Sequence, residues 1–343
     1  RVKLMSIIPI EVPTGAIRYN TDSNKMECFN GTKWMQIAVS SPDLDGGARG
    51  VFTGGQTPTN VNVIDYVTIT TAGDAIDFGD LLQLLMGHGA CADKTRGVMG
   101  NGQTPAGLVN NIEYVTMAST GNAIDFGDST LARSYVAAVN NATRGIWGGA
   151  WASPSRSNVI DYVTIQSTGN AQDFGDLTVA HQTDGSLSSP TRGLWVGGAS
   201  GSGPAYDSTT TGTQIECITT ATLGNAFDFG DLINGTYGKV GASNSTRGLA
   251  AGGYGSPAYI LAIEFITMAT LGNATNFGDM TVAHYYGAGT SNQTRAIFAG
   301  GVSPAPGTID YVNIATEGNA VDFGGLSSAR QLPKGMSNAN GGL

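Results

Sequence analysis

The residues with chemical potential recur along the chain and do not converge on one place. Six arginines, Arg49, Arg96, Arg144, Arg192, Arg247 and Arg295, follow one another at spacings of 47, 48, 48, 55 and 48 residues. Each is followed by an acid: Asp65, Glu113, Asp161, Glu216, Glu264 and Asp310. Guanidinium and carboxylate groups at matched intervals predict a lattice of charge-assisted hydrogen bonds inside or between repeats. Catalysis needs one site that departs from the rest, and no repeat departs in these two residues.

The other reactive side chains point the same way. Asp125 and Asp128 form a D-x-x-D pair that recurs in most repeats, but Ca²⁺ takes about six to eight converging oxygens. Asn276 and Gly325 break the pair in two repeats, so no metal is expected. A DFG triplet is shared with kinases, yet no glycine-rich loop, VAIK-like lysine or HRD-like stretch accompanies it. His181 and His284 stand where Arg133 and Arg330 stand in other repeats, which predicts a hydrogen-bonding role near a strand start. His88 is isolated. Cys28, Cys91 and Cys217 are odd in number, far apart and without a CxxC spacing, so they read as small buried apolar groups. No Ser/His/Asp or Cys/His set can be assembled. No catalytic residue and no cofactor is therefore expected.

The elements that carry these residues are themselves repeated. The stretch TRGIWGG, a polar loop, NVIDYVTI, a Gly-Asn turn and AQDFGDL occurs in six versions. Glycine pairs recur at Gly54-Gly55, Gly148-Gly149, Gly197-Gly198, Gly252-Gly253 and Gly300-Gly301, with Gly100-Asn101-Gly102 in the second repeat. A period of about 50 residues with a GG step is the signature of kelch-like propeller blades. Each repeat then supplies four strands: a weak run such as LARSYVAAVNN, then RGIWGG, IDYVTI and NAQDFGD. The third alternates Ile64, Tyr66 and Thr68 with Asp65, Val67 and Ile69, apolar on both faces as a sheet between two others requires. Phe78 and its equivalents, with Trp147 and Trp195, read as packing between blades at roughly 1.5–3 kcal/mol each. The first repeat starts at its second strand, and an extra first-type strand follows from about Ser328 to Asn340. Pairing of that segment with Gly50–Gly55 would close the ring and hide its edges. The fold class expected is all-β: a six-bladed kelch-like β-propeller with a small N-terminal β-meander.

Composition limits the partners. Charged residues make up 13% of the chain, and the net charge is −9. The region after residue 45 holds 12 Lys/Arg against 21 Asp/Glu, and six of the 12 are the repeat arginines. No basic stripe remains for a phosphate backbone, so nucleic-acid binding is not expected. No run of 18 apolar residues occurs, so no membrane insertion is expected. A chain starting at Arg1 without Met suggests processing or truncation.

Residues 1–40 predict a meander of three strands, AIRYN, KMECF and WMQIA, with Asn30-Gly31 as a hairpin signal. Their apolar residues Ile17, Tyr19, Met26, Cys28, Trp34 and Ile37 call for a partner surface: the propeller itself, or, for attachment or self-association, a larger assembly or another copy. Residues 41–48 read as a linker, and 49–343 as the propeller closed by its C-terminal strand.

The text PTGAIRYNTDSNKMECFNGTKWMQI resembles the short β-meander near the ends of tailed-phage virion proteins, notably tail fibres and related appendages. The pattern TRGxxxGG…IDYVTIxxxGNAxDFGDL is similar to kelch-like arrays in phage structural proteins. The two resemblances together cover nearly the whole chain and bring no catalytic residues with them. They imply a virion structural protein on the exterior of a bacteriophage particle, a tail fibre or head/neck appendage. Its partners would be other virion proteins, copies of itself, and a host-surface glycan or protein. The rival readings are a carbohydrate-active or oxidase enzyme on the same fold, and a cellular kelch adaptor. Kelch-type oxidases combine copper with Tyr, His and a modified Cys, and no such set is legible here.

The repeats differ most in the loops between their second and third strands, and these loops share one face of a propeller. They carry Trp151, Arg156, Tyr206, Asp207, Tyr254 and Tyr259, the candidate ligand-binding residues.

Overall fold

The computed structural model describes residues 12–21, 25–36, 49–200, 212–302 and 307–339. Every regular element among them is a β-strand. The chain divides into two compact units, Arg1–Leu44 and Asp45–Leu343.

In the first unit Ile17–Asn20, Lys25–Phe29 and Trp34–Gln36 form an antiparallel meander. Asn30 turns the second hairpin: its Oδ1 accepts from the Thr32 and Lys33 amides at 3.0 and 2.9 Å, and Gly31 takes a φ of 96°. The register puts Ile17, Cys28 and Met35 side by side, with Tyr19 opposite Met26 on the same face. Ile17, Tyr19, Met26 and Met35 are exposed there. Trp34, expected with them, lies on the other face against Phe29, with the Arg18 guanidinium 4.2 Å from its ring centroid. The period-2 pleat decides this, because Trp34 pairs with Phe29 and not with Cys28. Ile37 lies outside the described residues.

Among the described residues the second unit contains six antiparallel four-stranded sheets and two short two-stranded ones. Sheet I holds Lys334–Ser337, Arg49–Thr53, Val63–Thr68 and Ile76–Asp80, in that order. Sheet II holds Gly89–Ala92, Arg96–Gly100, Asn111–Thr116 and Ile124–Asp128. Sheet III holds Ala137–Asn140, Arg144–Trp151, Arg156–Thr164 and Gln172–Asp176. Sheet IV holds Gly185–Ser188, Arg192–Val196, Gln214–Thr219 and Phe227–Asp231. Sheet V holds Val240–Ser243, Arg247–Ala251, Ala262–Thr267 and Thr275–Asp279. Sheet VI holds Ala288–Ser291, Arg295–Ala299, Thr308–Asn313 and Val321–Gly325. The segment after Ser328 thus supplies the first strand of sheet I, with Lys334 opposite Thr53 and Ser337 opposite Gly50.

The core lies between consecutive sheets. Ile146, Ile160 and Phe174 of sheet III cluster with Trp195 and Ile218 of sheet IV, and Phe52 and Ile69 of sheet I with Ile297 and Phe323 of sheet VI. Trp147 and Trp195 are fully buried, and each indole N–H donates to a carbonyl of the preceding sheet, Gly89 and Ala137, both at 3.1 Å. The first strands touch their neighbours in order, and that of sheet I touches those of sheets VI and II. They are rich in small residues, and hydroxyls stitch them: the Asn140, Ser188 and Ser243 amides donate to Ser188, Ser243 and Ser291 Oγ at 3.0, 2.8 and 3.2 Å.

The DFG segment proves to be an inter-sheet joint. A bulge sets Asp173 opposite Asp161 and Gly175 opposite Ile160, so the intervening Phe174 turns into the core. Gly175, at φ 149°, then lets the next sheet's turn come close: a Cβ there would stand 2.5 Å from the Gly224 carbonyl oxygen. The Gly224 and Ala226 amides donate to Phe174 and Asp176 carbonyls at 2.9 and 2.8 Å, and Asn225 Oδ1 accepts from the Asp176 amide at 3.1 Å. Gly175→Ala is therefore expected to cost roughly 2–3 kcal/mol, through backbone strain and a displaced joint. Urea titration of the variant checks this; an unchanged midpoint would mean the joint yields freely.

Candidate functional site

The repeat arginines do not meet the repeat acids. Arg49 is opposite Thr68 in the ladder, whereas Asp65 is opposite Phe52. The two therefore project from opposite faces. Arg49 instead lies over Tyr66, 4.5 Å from its ring centroid, and donates to the Met117 carbonyl of sheet II at 2.8 Å. Arg96, Arg144, Arg192 and Arg247 reach Ile165, Thr220, Met268 and Ile314 carbonyls in the same way, and Arg295 reaches Ile69 and Thr70 of sheet I. In sheet IV Cys217 replaces the aromatic residue, and Arg192 lies 5.7 Å from Phe229 instead.

The buried acids have other partners. Asp65 accepts from Arg330 at 2.7 Å and from Ser327 at 2.6 Å. Asp161 is held by Arg133, with Thr130 N at 2.9 Å. Glu216 lies 3.6 Å from His181, and Asp310 lies 3.4 Å from His284. Glu264 is paired with Lys239 at 3.3 Å. Glu113 accepts from the Leu82 amide and Asn111, each at 2.9 Å, and burial raises its pKa above the usual carboxylate range. These acids tie the loop before each first strand to its third strand. Burial pushes the Cys91 and Cys217 thiols up to about 12 and His88 down to about 3, the last helped by Lys334 and Arg330. Among the described residues no three His, Cys, Asp or Glu side chains form a metal-ligand group.

What does converge is aromatic. The end of each second strand and the start of the first lie at one end of the sheet, as Gly148 opposite Ala137 illustrates. There Trp151 exchanges backbone hydrogen bonds with Ser134 at 2.8 and 2.9 Å. The Arg156 guanidinium lies 5.7 Å from the Trp151 ring and donates to Gln182 Oε1 at 3.4 Å. Gln182 in turn donates to the Tyr286 hydroxyl at 3.4 Å. Around Tyr286 stand Tyr285 at 4.2 Å, Tyr135 at 5.6 Å and Tyr237 at 6.2 Å between ring centroids. Tyr254 packs on Tyr237 at 5.7 Å and on Tyr259 at 5.4 Å, and Tyr259 lies 5.5 Å from Tyr285.

Four of the six expected site residues, Trp151, Arg156, Tyr254 and Tyr259, thus belong to one patch reaching from sheet III to sheets V and VI. Tyr206 and Asp207 lie outside the described residues. Arg156 is buried at 7% exposure, so it holds Gln182 in place, while Tyr259 at 43% is the open edge. The linking residues Tyr135, Gln182, Tyr237, Tyr285 and Tyr286 were not singled out from the sequence. The signal was present in the run before each first strand, where two positions vary: Met86, Ser134, Gln182, Tyr237, Tyr285 and Gln331, and the residues after them. Tyr135 and Tyr286 hold φ values of 54° and 57° where other repeats have Gly87 and Gly238. Bulky residues in that conformation carry strain, which their surroundings must offset.

A comparison with known protein families finds no match, and no curated protein matches the chain.

Proposed function

We propose that the six sheets are the blades of a kelch-like propeller and that the chain is a non-enzymatic structural protein of a bacteriophage particle. In this reading it is a tail fibre or head/neck appendage, exposed on the virion exterior, whose loop face binds a host-surface glycan. Three features support closure of the ring. The Lys334–Ser337 strand pairs with Arg49–Thr53. The Gly73 and Ala75 amides donate to Phe323 and Gly325, each at 2.8 Å, as at the other five joints. Arg295 donates to Thr70 O at 2.9 Å. The particle reading rests on the resemblance of the N-terminal text and of the repeats.

The observation that carries the binding reading is the tyrosine patch, with Tyr259 exposed and Trp151 at its border. Aromatic rings with polar rims suit the apolar faces and hydroxyl edges of sugar rings. Tyr259→Ala and Trp151→Ala are expected to weaken adsorption to host cells about tenfold each, the scale of a contact worth about 1.4 kcal/mol. Tyr259 is exposed enough that the melting temperature should hardly move. Adsorption of labelled protein, with purified surface polysaccharide as competitor, checks this. Full adsorption by both variants would move the binding surface elsewhere.

A further inference from the structure

Where the six first strands meet there is a cavity of about 30 Å³. Each sheet lines it with the second residue of its first strand: Ala90, Ala138, Ser186, Gly241, Gly289 and Gly335. Two charged side chains join them. Lys334, on sheet I, crosses to donate to the Asp184 carbonyl ahead of sheet IV at 3.4 Å. Asp184 Oδ2 accepts from the Gly238 amide at 3.1 Å, while Oδ1 has no hydrogen-bond partner among the described residues. Asp184 and Lys334 are 7% and 8% exposed.

Asp184, with one carboxylate oxygen short of a donor, thus lines the same cavity as Lys334, whose ammonium group has three donors and one long hydrogen bond. Leaving such buried groups unmatched is costly, and more so when they are charged. A cation at the site would satisfy Asp184 but be opposed by Lys334 and Arg156, whose charges both act on that carboxyl. An anion would satisfy Lys334 and be opposed by Asp184. What fits both is a neutral molecule that donates and accepts. The volume admits two or three water molecules, since one probe-sized water needs about 10–15 Å³.

We infer that Asp184 and Lys334 share an ordered water site at the meeting point of the six first strands, the water donating to Asp184 Oδ1 and accepting from Lys334 Nζ. The site joins the C-terminal strand of sheet I to the sheet three places away. It adjoins the tyrosine patch through Arg156 and the Gly238 amide, but it does not depend on what that patch binds. Burial pushes the Asp184 carboxyl up to about 6 against the pull of Lys334, as expected for a group with few direct donors.

A crystal structure of the wild-type protein, at a resolution that shows single waters, tests the inference. Companion crystals soaked in rubidium and in bromide salts separate water from ions by anomalous scattering. The expected result is a peak within hydrogen-bonding distance of both groups and no anomalous signal there. Three results would overturn it: no peak, a rubidium or bromide signal at the site, or Lys334 Nζ bonded directly to the Asp184 carboxylate.

Discussion

A chain ending at Gly325 is expected to lose cooperative folding of its second unit. The deletion removes the ladder partner of Arg49–Thr53 and leaves an open strand edge. It also removes both donors to Asp65, Arg330 and Ser327, although Asp65 is fully buried. An uncompensated buried charge of this kind costs about 3–5 kcal/mol. Met336, fully buried beside Val51 and Met99, adds a cavity worth about 2–5 kcal/mol. The two losses together approach the whole stability of an ordinary domain, about 5–15 kcal/mol. Thermal melts should show no sharp transition, and size-exclusion chromatography should show association through the freed edge. Adding residues 326–343 as a separate peptide should restore part of the transition. A truncated monomer that melts like the full chain would contradict the stabilising role of this strand.

Arg133→Met is expected to destabilise the protein by about 3–5 kcal/mol, because Asp161 stays buried without its cation. The Arg133 guanidinium also donates to the Val159 and Gly149 carbonyls at 2.6 and 3.2 Å, so the variant leaves acceptors unpaired as well. The cost belongs to the broken pair more than to the lost arginine. Arg133→Met combined with Asp161→Asn should therefore recover at least half of it, since asparagine can still accept from the Thr130 amide. Arg133→His should lie between, because sheet VI already joins His284 to Asp310 at the same places. Urea unfolding of the four proteins at neutral pH gives the comparison. A single variant within about 1 kcal/mol of wild type would show that Asp161 is not energetically dependent on Arg133.

The error over the repeat arginines shows where reading the chain stops. Arginine and acid recur with one period, and equal periodicity suggests partnership. Yet the alternation of Tyr66 with Asp65 already put them on different faces. Once Arg49 stands opposite Thr68, the cross-strand register sends it to the tyrosine. The true partners were half visible: Arg133, His181, His284 and Arg330 share a repeat position, and their interchange pointed to a common hydrogen-bonding duty. Lys239, three residues further on, performs that duty for Glu264 and broke the pattern.

The six-fold repetition of strands, the Gly-Asn turns, the buried Phe of each DFG segment and the extra strand after Ser328 were all legible in the chain's order of residues. Alternation, turn residues and glycine placement act over a few neighbouring residues, so a linear text records them. That Arg49 serves a neighbouring sheet's carbonyl, that Tyr135 meets Tyr286, and that Lys334 and Asp184 line one cavity came into view with the packed sheets alone. Those contacts join residues some 70 to 150 positions apart. Their distances depend on how whole sheets pack, and no local rule of backbone or side-chain preference encodes that.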